Sequence, residues 1–448
     1  MSAARLRVAV LAGAGALALA GVAAGLNVRG GDPVGGESDP ELETAVLMAT
    51  IDELEARLVL DPLNPVVGNV LIRDHLAAFG VDNELLHLRR AEEIAETLVP
   101  VALNRGSAYA ALAATRLTRH DFSGAYAAAE LSVADDSTGE AGLGTMFDAA
   151  VAAGRYERAE WALGSLLTHH RDAMATVVRE ARWLAALGEP SEAVDRLAPA
   201  CRRIEGRAVR RRLVAWCDVV LGGLARESHG PGASSSLYVK ALRTQPGYGP
   251  AIEGLAGNAY AEGRWEDARR LYLEIESDAH PDLQLRLAEI ARALGREAEA
   301  SEREAEFLRL TETDEARALH AHQLAIFLAE RPETRDAALE VISADMERRR
   351  SVEAYETLAW VRWRRGELDE ALTASDSSRT WGAPSATNDY LRARILEDVR
   401  RSDRSHVPEA VRRELAALAV EAADPAMLDP HAARDLRGRM TATRGSTG

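Results

Sequence analysis

The chain has 448 residues, 47% hydrophobic and 28% charged, which excludes a single small domain, a disordered tail and a polytopic membrane protein. Aromatic residues make up only 5% and alanine is abundant, so the composition favours helix over a β-sandwich or propeller. With 54 Lys+Arg against 70 Asp+Glu the net charge is −16, a surface that repels phosphate backbones, and no nucleic-acid partner is expected.

Arg5 and Arg7 precede an unbroken apolar run from Val8 to Leu26, and no acidic residue appears before Asp32. Residues 1–26 therefore read as a signal peptide, with small-residue cleavage sites at Ala18-Leu19-Ala20 or Val22-Ala23-Ala24, or as a single N-terminal membrane anchor. In either case positive-inside logic places the body outside the cytoplasmic membrane, in the periplasm, secreted or anchored facing outward. Cleavage would lower Lys+Arg from 54 to 52 against an unchanged 70 acids, a net charge of −18. Residues 27–41, rich in Gly, Asp and Pro, read as a flexible linker.

Leu42 to Leu60 predicts an amphipathic helix closed by Asp61-Pro62-Leu63-Asn64-Pro65, with two more helices near 66–79 and 84–98; residues 42–104 form an N-terminal helical segment. A repeat then becomes visible. Turns of the form Gly-x-x-acidic recur as Gly154-Arg155-Tyr156-Glu157, Gly263-Arg264-Trp265-Glu266 and Gly366-Glu367-Leu368-Asp369, each followed by an alanine that opens an apolar stripe. Those alanines and their equivalents are Ala125, Ala159, Ala193, Ala268, Ala300, Ala337 and Ala371, spaced 34, 34, 75, 32, 37 and 34. The 75 divides into 41 and 34 if Ser234 fills the missing slot, which puts an irregular repeat in the Arg-rich stretch between Cys201 and Arg212. Glycine lets the first helix end in a left-handed residue, the acid suits the second helix's N-terminal dipole, and the alanine admits close approach. Helices near 387–401 and 409–422 and a short one after Pro430 make residues 385–440 a C-terminal cap, and residues 441–448 are expected to be a disordered tail.

Leu221-Gly222 with Tyr238 and Pro246, Leu255-Ala256 with Ala268 and Tyr272, and Leu358-Ala359 with Ala371 carry a specific likeness. Over residues 105–384 the chain resembles the tetratricopeptide repeat family, with Tyr109 and Tyr355 in the slot usually held by Trp. The resemblance implies an all-α helix-pair solenoid, a right-handed superhelix with the first helices lining its concave side, and it implies no chemistry. On the family's groove-lining positions it places Arg182, Trp216, Glu253, Tyr260, Glu289, Arg292, His322, Glu356, Trp360 and Trp363. A partner site centred on Trp360 and Trp363, with Arg364 and Glu356 beside them and Tyr260, Arg292 and Trp216 further along, has the residue types of an interaction hot spot. The same tryptophans could instead serve the inter-helix core. In this architecture Cys201 and Cys217 fall on helices packed side by side, so they can form one disulfide or remain buried thiols.

Catalytic motifs are missing. Lys240 is the sole lysine and does not complete a phosphate-binding loop, and neither His-Glu-x-x-His nor Gly-x-Ser-x-Gly occurs. The histidine pairs His169-His170 and His320-x-His322 point to different helix faces, so no metal or cofactor is expected. The arginines at 202, 203, 207 and 210–212 read as a solvated face or an anion-binding patch. The resulting expectation is a non-enzymatic, exported scaffold that binds a peptide or protein in its groove. The alternatives are an accessory or regulatory subunit of an envelope enzyme or transporter, or an enzyme whose site lies in the flanking helical segments.

Overall fold

The computed structural model describes residues 40–205, 211–275, 280–402 and 424–445. The N-terminal apolar run, the expected helix over 409–422 and Arg207 and Arg210 lie outside the described residues. Among the described residues there is no strand, and none of the helices is long and apolar enough to cross a membrane.

Twenty-two α-helices follow in order among the described residues. They are α1 (Pro40–Leu60), α2 (Pro65–Asp82), α3 (Leu85–Leu98), α4 (Arg105–Thr118), α5 (Phe122–Asp135), α6 (Glu140–Ala152), α7 (Tyr156–His169), α8 (Met174–Ala186), α9 (Pro190–Glu205), α10 (Arg211–His229) and α11 (Pro231–Thr244). The second half contains α12 (Gly249–Ala261), α13 (Trp265–Glu274), α14 (Pro281–Ala293), α15 (Glu297–Leu310), α16 (Asp314–Leu319), α17 (Ala321–Ala329), α18 (Arg335–Arg348), α19 (Val352–Arg365), α20 (Leu368–Ser378), α21 (Ala386–Ser402) and α22 (Pro430–Gly445). From α2 to α20 they pack as consecutive hairpins, a tetratricopeptide-like solenoid of helix pairs.

Each hairpin is specified locally. Asn64, Asn104, Asp121, Thr313 and Ser351 cap the helices that follow them by accepting backbone N–H bonds. The turn inside a hairpin uses a left-handed residue, as at Gly154 (φ 75°) and Gly366 (φ 81°). In the α4–α5 hairpin, His120 (φ 59°) fills that slot, its ring stacked on Phe122 at 5.1 Å. The small residues at the crossing are fully buried at Ala125, Ala159, Ala193, Ala268, Ala300 and Ala371, and Ser234 fills the slot between Ala193 and Ala268. One position differs from the sequence expectation: Ala337 is exposed and Ala338 is the buried residue. A 3-10 turn over Pro332–Thr334 leads into α18 and sets the stripe one residue later than the motif spacing implies. Cys201 of α9 and Cys217 of α10 are joined as a disulfide, with Cα atoms 5.8 Å apart. At the C-terminus the last helix runs to Gly445, past the point where a disordered tail is expected.

The solenoid also contacts itself. Arg119 Nη2 donates to Glu315 Oε1 (2.8 Å) and the Val352 amide donates to Tyr156 Oη (2.8 Å), both pairs 196 residues apart. The Arg350 amide donates to the Ala153 carbonyl and the Ala383 amide to the Ala186 carbonyl, at nearly the same separation. Trp381 stacks on Tyr156 (centroids 3.8 Å, planes 5° apart) and leans on Trp183 at 4.7 Å. Arg89 also bonds Glu315, and Ser123 the Arg348 carbonyl, at separations of 226 and 225 residues. The superhelix therefore returns on itself after about six units, each turn meeting two successive units of the next, so α3–α8 lie against α16–α20 and the loop after it.

This closure can be separated from hairpin geometry. Gly154 and Gly366 both sit at positive φ, but a Cβ at Gly154 would lie 2.3 Å from the Arg350 carbonyl oxygen of the opposing turn, whereas one at Gly366 meets nothing within 4 Å. Both alanine variants should lose about 1–2 kcal/mol from backbone conformation, and Gly154→Ala about 1–3 kcal/mol more from the clash. Urea midpoints measure the difference; equal losses would mean the turns are not in contact.

Candidate functional site

The inner face over α12, α14, α17, α19 and α21 is formed by large aromatic and charged side chains. Trp360 and Trp363, on α19, are 1% and 5% exposed and meet edge to face at 5.0 Å. Each indole N–H is bonded, Trp360 Nε1 to Glu330 Oε1 and Trp363 Nε1 to Asp398 Oδ2, both at 2.9 Å. The Arg364 guanidinium lies over both rings, at 5.4 and 4.8 Å, and pairs with Glu330. Both rings belong to the buried core of this half of the chain.

That face is covered by the chain's own α22. His431 stands edge-on to Trp360 at 4.4 Å, and Ala432 and Ala433 are buried against the floor. Arg434 Nη1 donates to Glu289 Oε1 (2.9 Å), and the other Glu289 oxygen accepts from Tyr260 Oη (3.0 Å) and Arg286 (3.1 Å). Asp435 accepts from Tyr390 Oη (2.7 Å) and Arg394 Nε (3.1 Å), with Arg364 at 3.6 Å. Arg437 donates to the Ala261 carbonyl (2.7 Å) and lies 5.1 Å from the Trp265 ring. Arg439 pairs with Glu397 at 2.9 Å.

The structure therefore brings Trp360, Trp363, Arg364 and Tyr260 together along α22, with Glu356 lining a small cavity beside Asp429 and His431. Arg292 is placed elsewhere, bonded to Glu304 of α15 (2.8 Å), and Trp216 packs into the separate core around Cys201, Cys217 and Tyr248. The sequence reading did not identify the groove's occupant. Its signal is a narrow stripe of small residues, Ala432 and Ala433, flanked by His431 and Arg434 after the helix-starting Pro430, too short to stand out by periodicity.

Burial perturbs the groups at this junction. Loss of solvent raises the Glu356 carboxyl to about 8, with Asp429 adding to the effect and a Ser385 hydrogen bond opposing it. Asp429 is raised by the same cause. His431 is held well below the usual imidazole value by burial, with His322 and Arg434 adding repulsion. The cavity between them measures ≈10 Å³, room for about one water molecule. Thr357 and His322 are in close contact and Glu353 is 4.0 Å from the same ring, but both approach Nδ1. A proton relay needs base and orienting acid on opposite ring nitrogens, so this trio is not arranged as one. Among the described residues no group of His, Cys, Asp and Glu has metal-holding geometry.

No protein-family model matches the chain, and no curated protein matches it. Solved structures similar to it include PilW, described as a widely conserved type IV pilus biogenesis factor (19% identity over 49% of this chain and 99% of that one, TM-score 0.37). Another is Pseudomonas aeruginosa PilF (15% identity, 48% and 96%, TM-score 0.35), and a third a human IFIT1 dimer with m7Gppp-AAAA (11% identity, 73% and 75%, TM-score 0.46). At these identities and TM-scores no partner is carried over from them.

The buried acids give a pH dependence whose sign can be worked out. Glu356 binds its proton up to about 8 in the folded chain against an ordinary 4.5, so its stabilisation is complete below about pH 4.5 and is lost as pH rises towards 8. Glu227, raised to about 8 by burial, acts in the same direction. His431 is depressed from 6.5, so its contribution is present above that value and falls away in acid. Melting temperature should therefore decline from pH 6.5 to 8.5, and Glu356→Gln should flatten that decline and melt higher than the parent at pH 8.5. A parallel slope in the variant would remove Glu356 as a source.

Proposed function

We propose that the protein is a non-enzymatic, exported interaction scaffold that holds a peptide or protein segment in the concave groove around Trp360 and Trp363. The observation that carries this reading is the occupied inner face: a helix is seated there through aromatic, arginine and carboxylate contacts of the kind that dominate binding interfaces. In support, His322, Thr357 and Glu353 are not arranged as a proton relay, and the cavity at this junction has room for about one water molecule. Export rests on the N-terminal sequence, where Arg5 and Arg7 precede the apolar run 8–26 as a cleaved signal or as an anchor.

Two measurements test the two parts. A C-terminal fusion to a reporter active only outside the cytoplasm is expected to be active, and activity of a cytoplasm-only reporter would overturn export. For the groove, the full chain should capture a partner from envelope extract. Trp363→Ala should weaken capture by about thirtyfold or more per folded molecule, besides costing about 3–5 kcal/mol of stability. Unchanged capture by the folded fraction would assign Trp363 to packing alone.

A further inference from the structure

The contacts made by α22 are those of a bound ligand more than those of a core helix. Among its described side chains, residues 430–439, the apolar contribution is small: His431, Ala432 and Ala433 at the groove floor, with Leu436 partly buried. Its remaining anchors are polar and spread along one face, Arg434 on Glu289, Asp435 on Tyr390, Arg394 and Arg364, Arg437 on the Ala261 carbonyl and Arg439 on Glu397. Lifting such a helix uncovers charged and small groups of its own that water solvates, and on the seat the faces of Trp360, Tyr260 and Tyr390, which a replacement helix can cover again. The seat is also selective. Ala432 and Ala433 are 0% and 1% exposed, so larger side chains do not fit there, and the Tyr390–Arg394–Arg364 corner accepts a carboxylate. Glu289 and Glu397 accept arginines on either side of it, and the chain's net charge of −16 favours the approach of a basic partner.

Resting on the scaffold reading above, we propose that the groove's partner is a basic helical protein segment repeating the pattern of residues 431–439, and that α22 is its resident competitor. That pattern is an aromatic or His residue, two small residues, Arg, then an acid, with further arginines three and five positions after the first. A partner carrying it would take over the contacts of α22 one for one, and the groove would be closed to segments lacking the small pair or the first arginine.

The test uses the full chain and a labelled synthetic peptide of residues 424–445. In the parent, α22 competes from within the same molecule, so the peptide should bind weakly. Arg434→Glu and, as a milder change, Asp435→Asn weaken the resident helix, and each should bind the wild-type peptide at least about tenfold more tightly than the parent does. A peptide carrying R434E and R437E should not bind. Dichroism and melting curves confirm that the variants are folded. The same wild-type peptide in excess should release protein captured by the variants from envelope extract. No gain in peptide affinity in either folded variant, equal binding of the two peptides, or captured protein that saturating peptide leaves in place would each overturn the proposal. Dimers of the variants by light scattering would also overturn it, since the occupant would then be a second copy of the chain. Normal peptide behaviour with nothing captured would count against the scaffold reading while supporting recognition of this helix pattern by the groove.

Discussion

The architecture depends on the close approach of two helices across one small residue. With Ala125, Ala159, Ala193, Ser234, Ala268, Ala300, Ala338 and Ala371 buried at the crossing, each hairpin adopts a similar geometry and hands the next a similar surface. Stacking near-identical units compounds a small rotation per repeat into a superhelix. The array meets itself about six units on, and Tyr156, Trp183 and Trp381 lock the encounter. The groove and the seat of α22 follow from that curvature.

Closure also explains the chemistry of the interior. Polar residues of neighbouring units meet one another where solvent is scarce. Asp148 of α6 and Arg179 of α8 form a pair whose side chains are 5% and 7% exposed, and Asp345 of α18, fully buried, holds Arg349 at 2.7 Å. Ionised pairs so placed must be matched closely, because removing one partner strands the other's charge. Groups without such a match are pushed towards neutrality by burial, as Glu227 and Glu356 are. The inner surface is therefore a polar, shape-specific lining, suited to reading the charges of a helix.

How much of this was legible depended on how local each cause is. Hairpin turns and crossing alanines leave marks within about 34 residues, and the repeat could be followed through Ser234 where alanine is missing. The shift from Ala337 to Ala338 escaped because a three-residue turn changes register without changing composition. His120 escaped as a turn residue because glycine is the usual sign of a left-handed position. Trp360, Trp363, Arg364 and Tyr260 fell on inner-face positions by alignment to the repeat, but Arg292 turns to Glu304 and Trp216 to a separate core. Contacts between turns could not be read at all, since nothing in a sequence marks residues 196 apart as neighbours.

An open solenoid can gain or lose units with little penalty, since each contacts only its neighbours. This one cannot. Duplicating or deleting a single unit between Tyr156 and Val352 would displace the whole set of contacts between turns by one repeat: Tyr156 would no longer face the Val352 amide, nor Ala186 the Ala383 amide. The number of units between the contacting turns is thereby fixed by the contacts themselves, and that stretch can diversify by side-chain substitution but not by changes in repeat count.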